Sequence, residues 1–264
     1  MKSSNDQYPD KYYAAGIKLD GLPLLDYGDI EVQENFSSTS EGSVRVRFGN
    51  TEVLVGVKLE IGQPFEDTPE EGNLIVDANL VPLGSEKYEF GPPSIDAIEL
   101  ARVTDRAIRE SKCIDTSSLV ISAGEKVWTV IVDIVPLNTA GCLFDISSFG
   151  AVLALLNTKF PIIENDKIVY GKFSDKRLNL LNIPITVTVY KYKNYLMINP
   201  SLYDLEHAEC RLSITTIDDQ TIVALQKGGI GSFTIEEVKE CVNIAFKKGN
   251  ELRKMIKEKY ALLR

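Results

Sequence analysis

The chain has 264 residues, 44% of them hydrophobic, and a formal net charge of −9. That is enough for one large domain or two smaller ones with a proper core, and the acidic balance disfavours general affinity for nucleic acid: any such contact is expected at a local patch or with a partner's help. No run approaches 18 apolar residues and the opening MKSSNDQYPDKYYAAG holds no apolar signal core, so the expectation is a soluble intracellular protein without a membrane span, placed in the cytoplasm.

In chain order, residues 1–15 are polar and tyrosine-rich, an arm expected to order only against a neighbour. GIKLDGLPLLDYGDI, residues 16–30, is punctuated by Gly16, Gly21, Pro23 and Gly28 and reads as extended connection. SVRVRF at 43–48 alternates strictly, Gly49-Asn50 is a turn, and TEVLVGVKLEI follows, which predicts a hairpin. EDTPEE at 66–71 reads as a solvated loop, and NLIVDANL at 73–80 as a third strand.

A helix comes next. Pro92 and Pro93 stop the preceding loop, Ser94 suits the N-cap, and Asp96 and Glu99 sit where the helix dipole favours acid. The pattern predicts about 18 helical residues, from Ile95 to Lys112. Ala97, Leu100, Ala101, Thr104, Ala107 and Ile108 share one side, while Arg102, Arg106 and Arg109 stack on the other as a cationic strip. The plain reading of that strip is a solvated face with Glu99–Arg102 and Asp105–Arg109 pairs. The sharper one is a phosphate contact, because guanidinium donates paired hydrogen bonds to phosphate oxygens.

The plan then recurs: LVISA, a turn at Gly124, KVWTVIVDIV, and a small-residue helix over about 145–158 that is apolar nearly all round and so predicted to be buried on most sides. A charged linker over 163–183 leads to strands at ITVTVYKY, YLMIN, CRLSITT and TIVALQ. LQKGGIGSF at 225–233 lacks the spacing of a phosphate-binding loop and reads as a turn. In the last helix Thr234 and Glu237 form a capping box, and Gly249 predicts a kink or break. Two strands-then-helix units predict an α+β fold of mixed sheets with the helices packed on one face. Cys113, Cys142, Cys210 and Cys241 form no CxxC pair and His207 is the single histidine, so neither a zinc site nor a thiol nucleophile is expected.

The stretches GSVRVRFGNTEVLVGVKLEIGQPFEDTPEEGNLIVDANLVPL, FGPPSIDAIELARVTDRAIRESKCID and ALLNTK resemble the RNase PH superfamily, and more narrowly the non-catalytic RNase PH-like subunit of the archaeal exosome core. The resemblance implies an RNase PH-like fold of two RNase PH domains, 16–162 and 184–264, joined by the linker 163–183. It also implies a hexameric ring in which three such subunits alternate with three catalytic paralogues, with RNA-binding cap subunits. Such a ring degrades single-stranded RNA from its 3′ end by phosphate attack.

Active members hold phosphate with a Gly-Thr-Arg turn opening the second helix. The matching residues here are Gly141-Cys142-Leu143-Phe144-Asp145, with no arginine and with a carboxylate that repels phosphate. The acidic cluster of active members matches SLYDLEHAECRLS, residues 201–213, where Asp204, Glu206 and Glu209 are interrupted by His207 and Cys210-Arg211. An early Arg-x-Asp-Gly-Arg motif has become Lys18-Leu19-Asp20-Gly21-Leu22. The resemblance therefore implies a catalytically silent subunit with no cofactor or metal of its own. Inorganic phosphate, and any magnesium, would sit at the partner's site. By residue match in Glu-Leu-Ala-Arg, Arg102 is implied to touch the RNA backbone beside that site; Arg106 and Arg109 are second candidates, better suited to surface or interface pairs. Two rival readings stand beside this: the chain is itself a phosphorolytic exoribonuclease with Asp204 and Glu206 as metal ligands, or it is a purely architectural ring subunit.

Overall fold

A computed structural model describes residues 8–164 and 167–261 of the chain; residues 1–7 of the expected arm lie outside them. Tyr8–Ala14 is a short helix (α1) and Ile30–Glu34 a strand (β1). The alternating stretch is the predicted hairpin, Gly42–Phe48 (β2) and Thr51–Gly62 (β3), with Phe48 opposite Thr51. Its period of two puts Val44, Val46, Phe48, Val53, Val55, Val57 and Leu59 into the core. Asn73–Ala78 (β4), Val120–Ser122 (β5) and Lys126–Asn138 (β6) complete a sheet in the order β1-β2-β3-β6-β4, with β5 also pairing on β6. β4 runs parallel to β6, a pairing that requires a long crossover, and the helix Ile95–Glu110 (α2) lies within it.

α2 and the helix Leu143–Asn157 (α3) touch each other on the same face of this sheet. A ribbon of Lys159–Glu164 (β7) and Lys167–Arg177 (β8) precedes the second sheet, built from Ile185–Tyr192 (β9), Tyr195–Met197 (β10), Cys210–Thr216 (β11) and Ile222–Gly229 (β12) in the order β10-β9-β11-β12. Leu202–His207 (α4) separates β10 from β11, and Ile235–Ala261 (α5) packs on β9 and β11. α3 contacts both sheets, which accounts for its apolar surface all round: Ile146, Phe149, Val152, Leu153 and Leu155 are buried, each contributing roughly 1.5–3 kcal/mol. Among the described residues no helix is long and apolar enough to cross a membrane.

Four expectations change. The described part of the arm, residues 8–15, does not wait for a neighbour. Tyr13 is 1% exposed, packs its ring 5.2 Å from that of Tyr192, and donates its hydroxyl to Asp204 at 2.9 Å. The connection at 16–30 carries a buried anchor: Lys18 Nζ donates to the carbonyls of Asp26 (2.8 Å), Ile198 (3.2 Å) and Asn199 (2.8 Å), stitching it to the segment that follows β10. The charged stretch at 163–183 holds the end of β7 and all of β8, with Lys172, Asp175, Lys176 and Arg177 exposed, while Phe160 earlier on β7 rests on Trp128. α5 runs unbroken through Gly249, where a Cβ would lie 2.8 Å from Thr216 Oγ1. The glycine there permits close approach to β11, and the expected break does not occur.

Candidate functional site

α2 opens as its sequence requires, with the Ser94 hydroxyl accepting from the amide of Ala97 at 3.2 Å and all six apolar-face residues buried. The three arginines diverge and do not form one strip. Arg109 donates to Asp105 at 2.7 Å, the expected pair, and to the Leu74 carbonyl on β4 at 3.1 Å. Arg106 donates to Gln226 on β12 at 2.5 Å. Arg102 is exposed and has no hydrogen bond or ion pair among the described residues. The expected Glu99–Arg102 pair is absent, because Glu99 is taken by Arg211 of β11 at 2.7 Å.

A helix N-terminus attracts anions when it faces solvent. That of α3 is instead answered from inside. Cys142 at its cap is buried and makes no side-chain cap, and Asp145 in its first turn is 0% exposed, with Tyr27 Oη donating to it at 2.7 Å. Burial pushes the Asp145 carboxyl up to about 7, with Thr188 and Tyr27 pulling it back in part. Outside this turn the Arg211 guanidinium lies 4.6 Å from the Phe144 ring centroid and is neutralised by Glu99. Of the cations near this turn, Arg211 is paired with Glu99 and Lys18 is spent on three backbone carbonyls.

The buried Asp145 has a pH consequence. Its folded-state carboxyl titrates near 7 and an unfolded one near 4, so the folded state favours the proton. The contribution of Asp145 to stability is therefore greatest below pH 4, falls between about 4 and 7, and levels off above, opposite in sign to that of Asp10, Asp218 and Glu237, whose carboxyls are held below the usual range. Asp145→Asn keeps an acceptor for Tyr27 and removes the titration. It is expected to stabilise the fold by roughly 2–4 kcal/mol at pH 8 and to gain nothing at pH 4. Urea unfolding of both proteins across that range checks this; equal pH profiles would contradict it.

The acidic segment does not assemble a metal centre. Asp204 is 0% exposed and accepts from Tyr13 Oη (2.9 Å), the Leu19 amide (3.0 Å), the Ser201 amide (2.8 Å) and Ser201 Oγ (2.6 Å). Glu206 and Glu209 are exposed, with Glu209 accepting from the Lys193 amide at 3.4 Å, and His207 Nδ1 bonds the Tyr203 carbonyl at 2.7 Å. No group of three metal-ligating side chains occurs among the described residues. The four cysteines are buried and free, and burial pushes the thiols of Cys113 and Cys241 up to about 11 and about 12.

A cleft of about 1050 Å³ lies between the 79–94 loop, the start of α2 and α4. Glu86, Glu89, Asp96 and Glu206 line it against Lys87, a balance that disfavours a polyanion. Sequence reading missed Phe144 and Arg211 as partners; Arg211 was visible only as an interruption in an acidic run.

The family model described as "3' exoribonuclease family, domain 1" matches residues 26–161, and "3' exoribonuclease family, domain 2" matches residues 182–248. "Exosome complex component Rrp42" of Thermococcus kodakarensis is 42% identical over 244 residues, covering 91% of this chain and 90% of that protein. Among solved structures, one described as "archaeoglobus fulgidus exosome with RNA bound to the active site" superimposes with a TM-score of 0.88 at 37% identity, over 95% of this chain and 96% of that one. One described as "Archaeal exosome core" gives 0.83 at 35% identity, over 95% of each chain.

Proposed function

Because the chain belongs to the 3′ exoribonuclease family, the RNase PH family, we propose that it is a ring subunit of an exosome core that is catalytically silent itself. It shapes the active site of a catalytic RNase PH-like paralogue and grips single-stranded RNA with Arg102 during 3′-to-5′ phosphorolysis. The ring alternates three copies of each subunit and carries RNA-binding caps. Phosphate and any magnesium belong to the paralogue's site, and the complex works in the cytoplasm.

The observation that carries this reading is the contrast between two cationic positions. The turn opening α3 has Asp145 inside and a neutralised Arg211 outside, so it offers phosphate nothing. Arg102 on α2 is exposed with its donors unspent. Phosphorolysis needs guanidinium or equivalent charge at the attacking phosphate, and the available guanidinium of Arg102 stands on α2, away from that turn. The reading of Asp204 and Glu206 as metal ligands loses its support, since Asp204 is spent on four hydrogen bonds.

Arg102→Ala in the assembled ring tests the role. Losing one exposed charge-assisted phosphate contact should weaken single-stranded RNA binding roughly five- to tenfold, about 1–1.4 kcal/mol. It should also lower the slope of log affinity against log salt by about 0.7. An unchanged affinity and slope with an intact ring would favour the architectural reading. Arg106→Ala should do less, because Arg106 is already tied to Gln226.

A further inference from the structure

We propose that Arg211 is a positioning residue for RNA binding: by holding Glu99 from the second domain, it keeps that carboxylate off Arg102 and leaves the Arg102 guanidinium vacant. The inference rests on the RNA-gripping role given to Arg102 above.

On a helix taken alone, Glu99 and Arg102 are neighbours at i, i+3 and would pair, stabilising the helix by a few tenths of a kcal/mol. Here both oxygens of Glu99 are claimed from β11 and β12. Oε2 pairs with Arg211 Nη2 at 2.7 Å, and Oε1 accepts from Gln226 Nε2 at 3.4 Å. Gln226 in turn accepts from Arg106 at 2.5 Å. A short polar chain therefore runs from Arg106 through Gln226 and Glu99 to Arg211, spends two of the cations near α2, and passes Arg102 by.

Arg211 is held in a slot built for a flat cation. One side of its guanidinium faces the Phe144 ring, 4.6 Å from the centroid. The guanidinium also lies against Gly228, its partner across β12, where a Cβ would fall 2.1 Å from Nη1 and 2.3 Å from Cζ. Only glycine leaves room for the guanidinium there. The slot limits the positions Arg211 can adopt, so its bond to Glu99 costs less side-chain entropy than the competing bond from the exposed Arg102.

The test uses the assembled ring and a fluorescent single-stranded RNA, with affinity read across salt and thermal midpoints checked for each variant. Arg211→Leu frees Glu99 to take Arg102, and binding should weaken roughly two- to threefold. Gly228→Ala should weaken it similarly, because the added methyl meets the flexible end of Arg211 and displaces it without deleting it. Adding Glu99→Gln should return either variant to within 1.3-fold of its parent, roughly the resolution of such a titration on the affinity scale. Adding Glu110→Gln, which removes the same charge elsewhere on α2, should not. In an Arg102→Ala ring, Arg211→Leu should have no further effect. Failure of Glu99→Gln to rescue, or equal rescue by Glu110→Gln, would overturn the inference while leaving the role of Arg102 standing. Unchanged binding by Arg102→Ala alone would overturn that role and this inference with it.

Discussion

Replacing Asp204 with alanine is expected to cost the fold about 3–5 kcal/mol and to leave phosphorolysis by the assembled complex unchanged per folded ring. Its carboxylate is completely buried and holds three pieces of chain together: Tyr13 of α1, Leu19 of the following turn, and Ser201 at the cap of α4. Alanine deletes the acceptor and strands the Tyr13 hydroxyl and two backbone amides away from water, each worth roughly 1–3 kcal/mol when unsatisfied. It also removes the capping box of α4. For a chain of this length such a loss lowers the thermal midpoint by roughly 10 °C. Calorimetry and a turnover assay separate the two readings. A metal ligand would show the reverse, full stability with lost turnover, and that result would revive the reading in which this chain performs the chemistry. α1 should detach first, because Tyr13 is its deepest anchor; proteolysis near residue 15 should rise in the variant.

Local rules made much of the fold legible. The alternation in 43–61 and the Gly49-Asn50 turn predicted β2 and β3, Ser94 predicted the start of α2, and the Thr234–Glu237 box predicted the start of α5, where both reciprocal bonds form at 2.7 and 3.2 Å. The apolar surface of α3 predicted its burial. What stayed hidden was side chains whose partners lie far along the chain. Tyr13 meets Asp204 across 191 positions, and Lys18 reaches Ile198 and Asn199 across 180 and 181. No local pattern announces such a bond.

The same limit governed the site. Spacing alone paired Glu99 with Arg102, because only neighbours on the helix can be seen from the sequence. The strand that supplies Arg211 comes from the other domain, so the competition for Glu99 became visible only once β11 was placed beside α2. Gly249 misled for a related reason: a helix-weakening residue was read as a kink or break, yet the helix is unbroken and the missing side chain makes room for Thr216.

The most direct measurement is release of nucleoside diphosphates from single-stranded RNA in phosphate and magnesium, by this chain alone, by its catalytic paralogue alone, and by the two assembled. With Asp145 buried at the start of α3 and Asp204 spent on four hydrogen bonds, neither carboxylate is free to serve a phosphate or metal site. The expected result is no turnover from this chain alone and far faster turnover from the mixture than from the paralogue. Robust phosphate-dependent release by this chain alone would contradict the account.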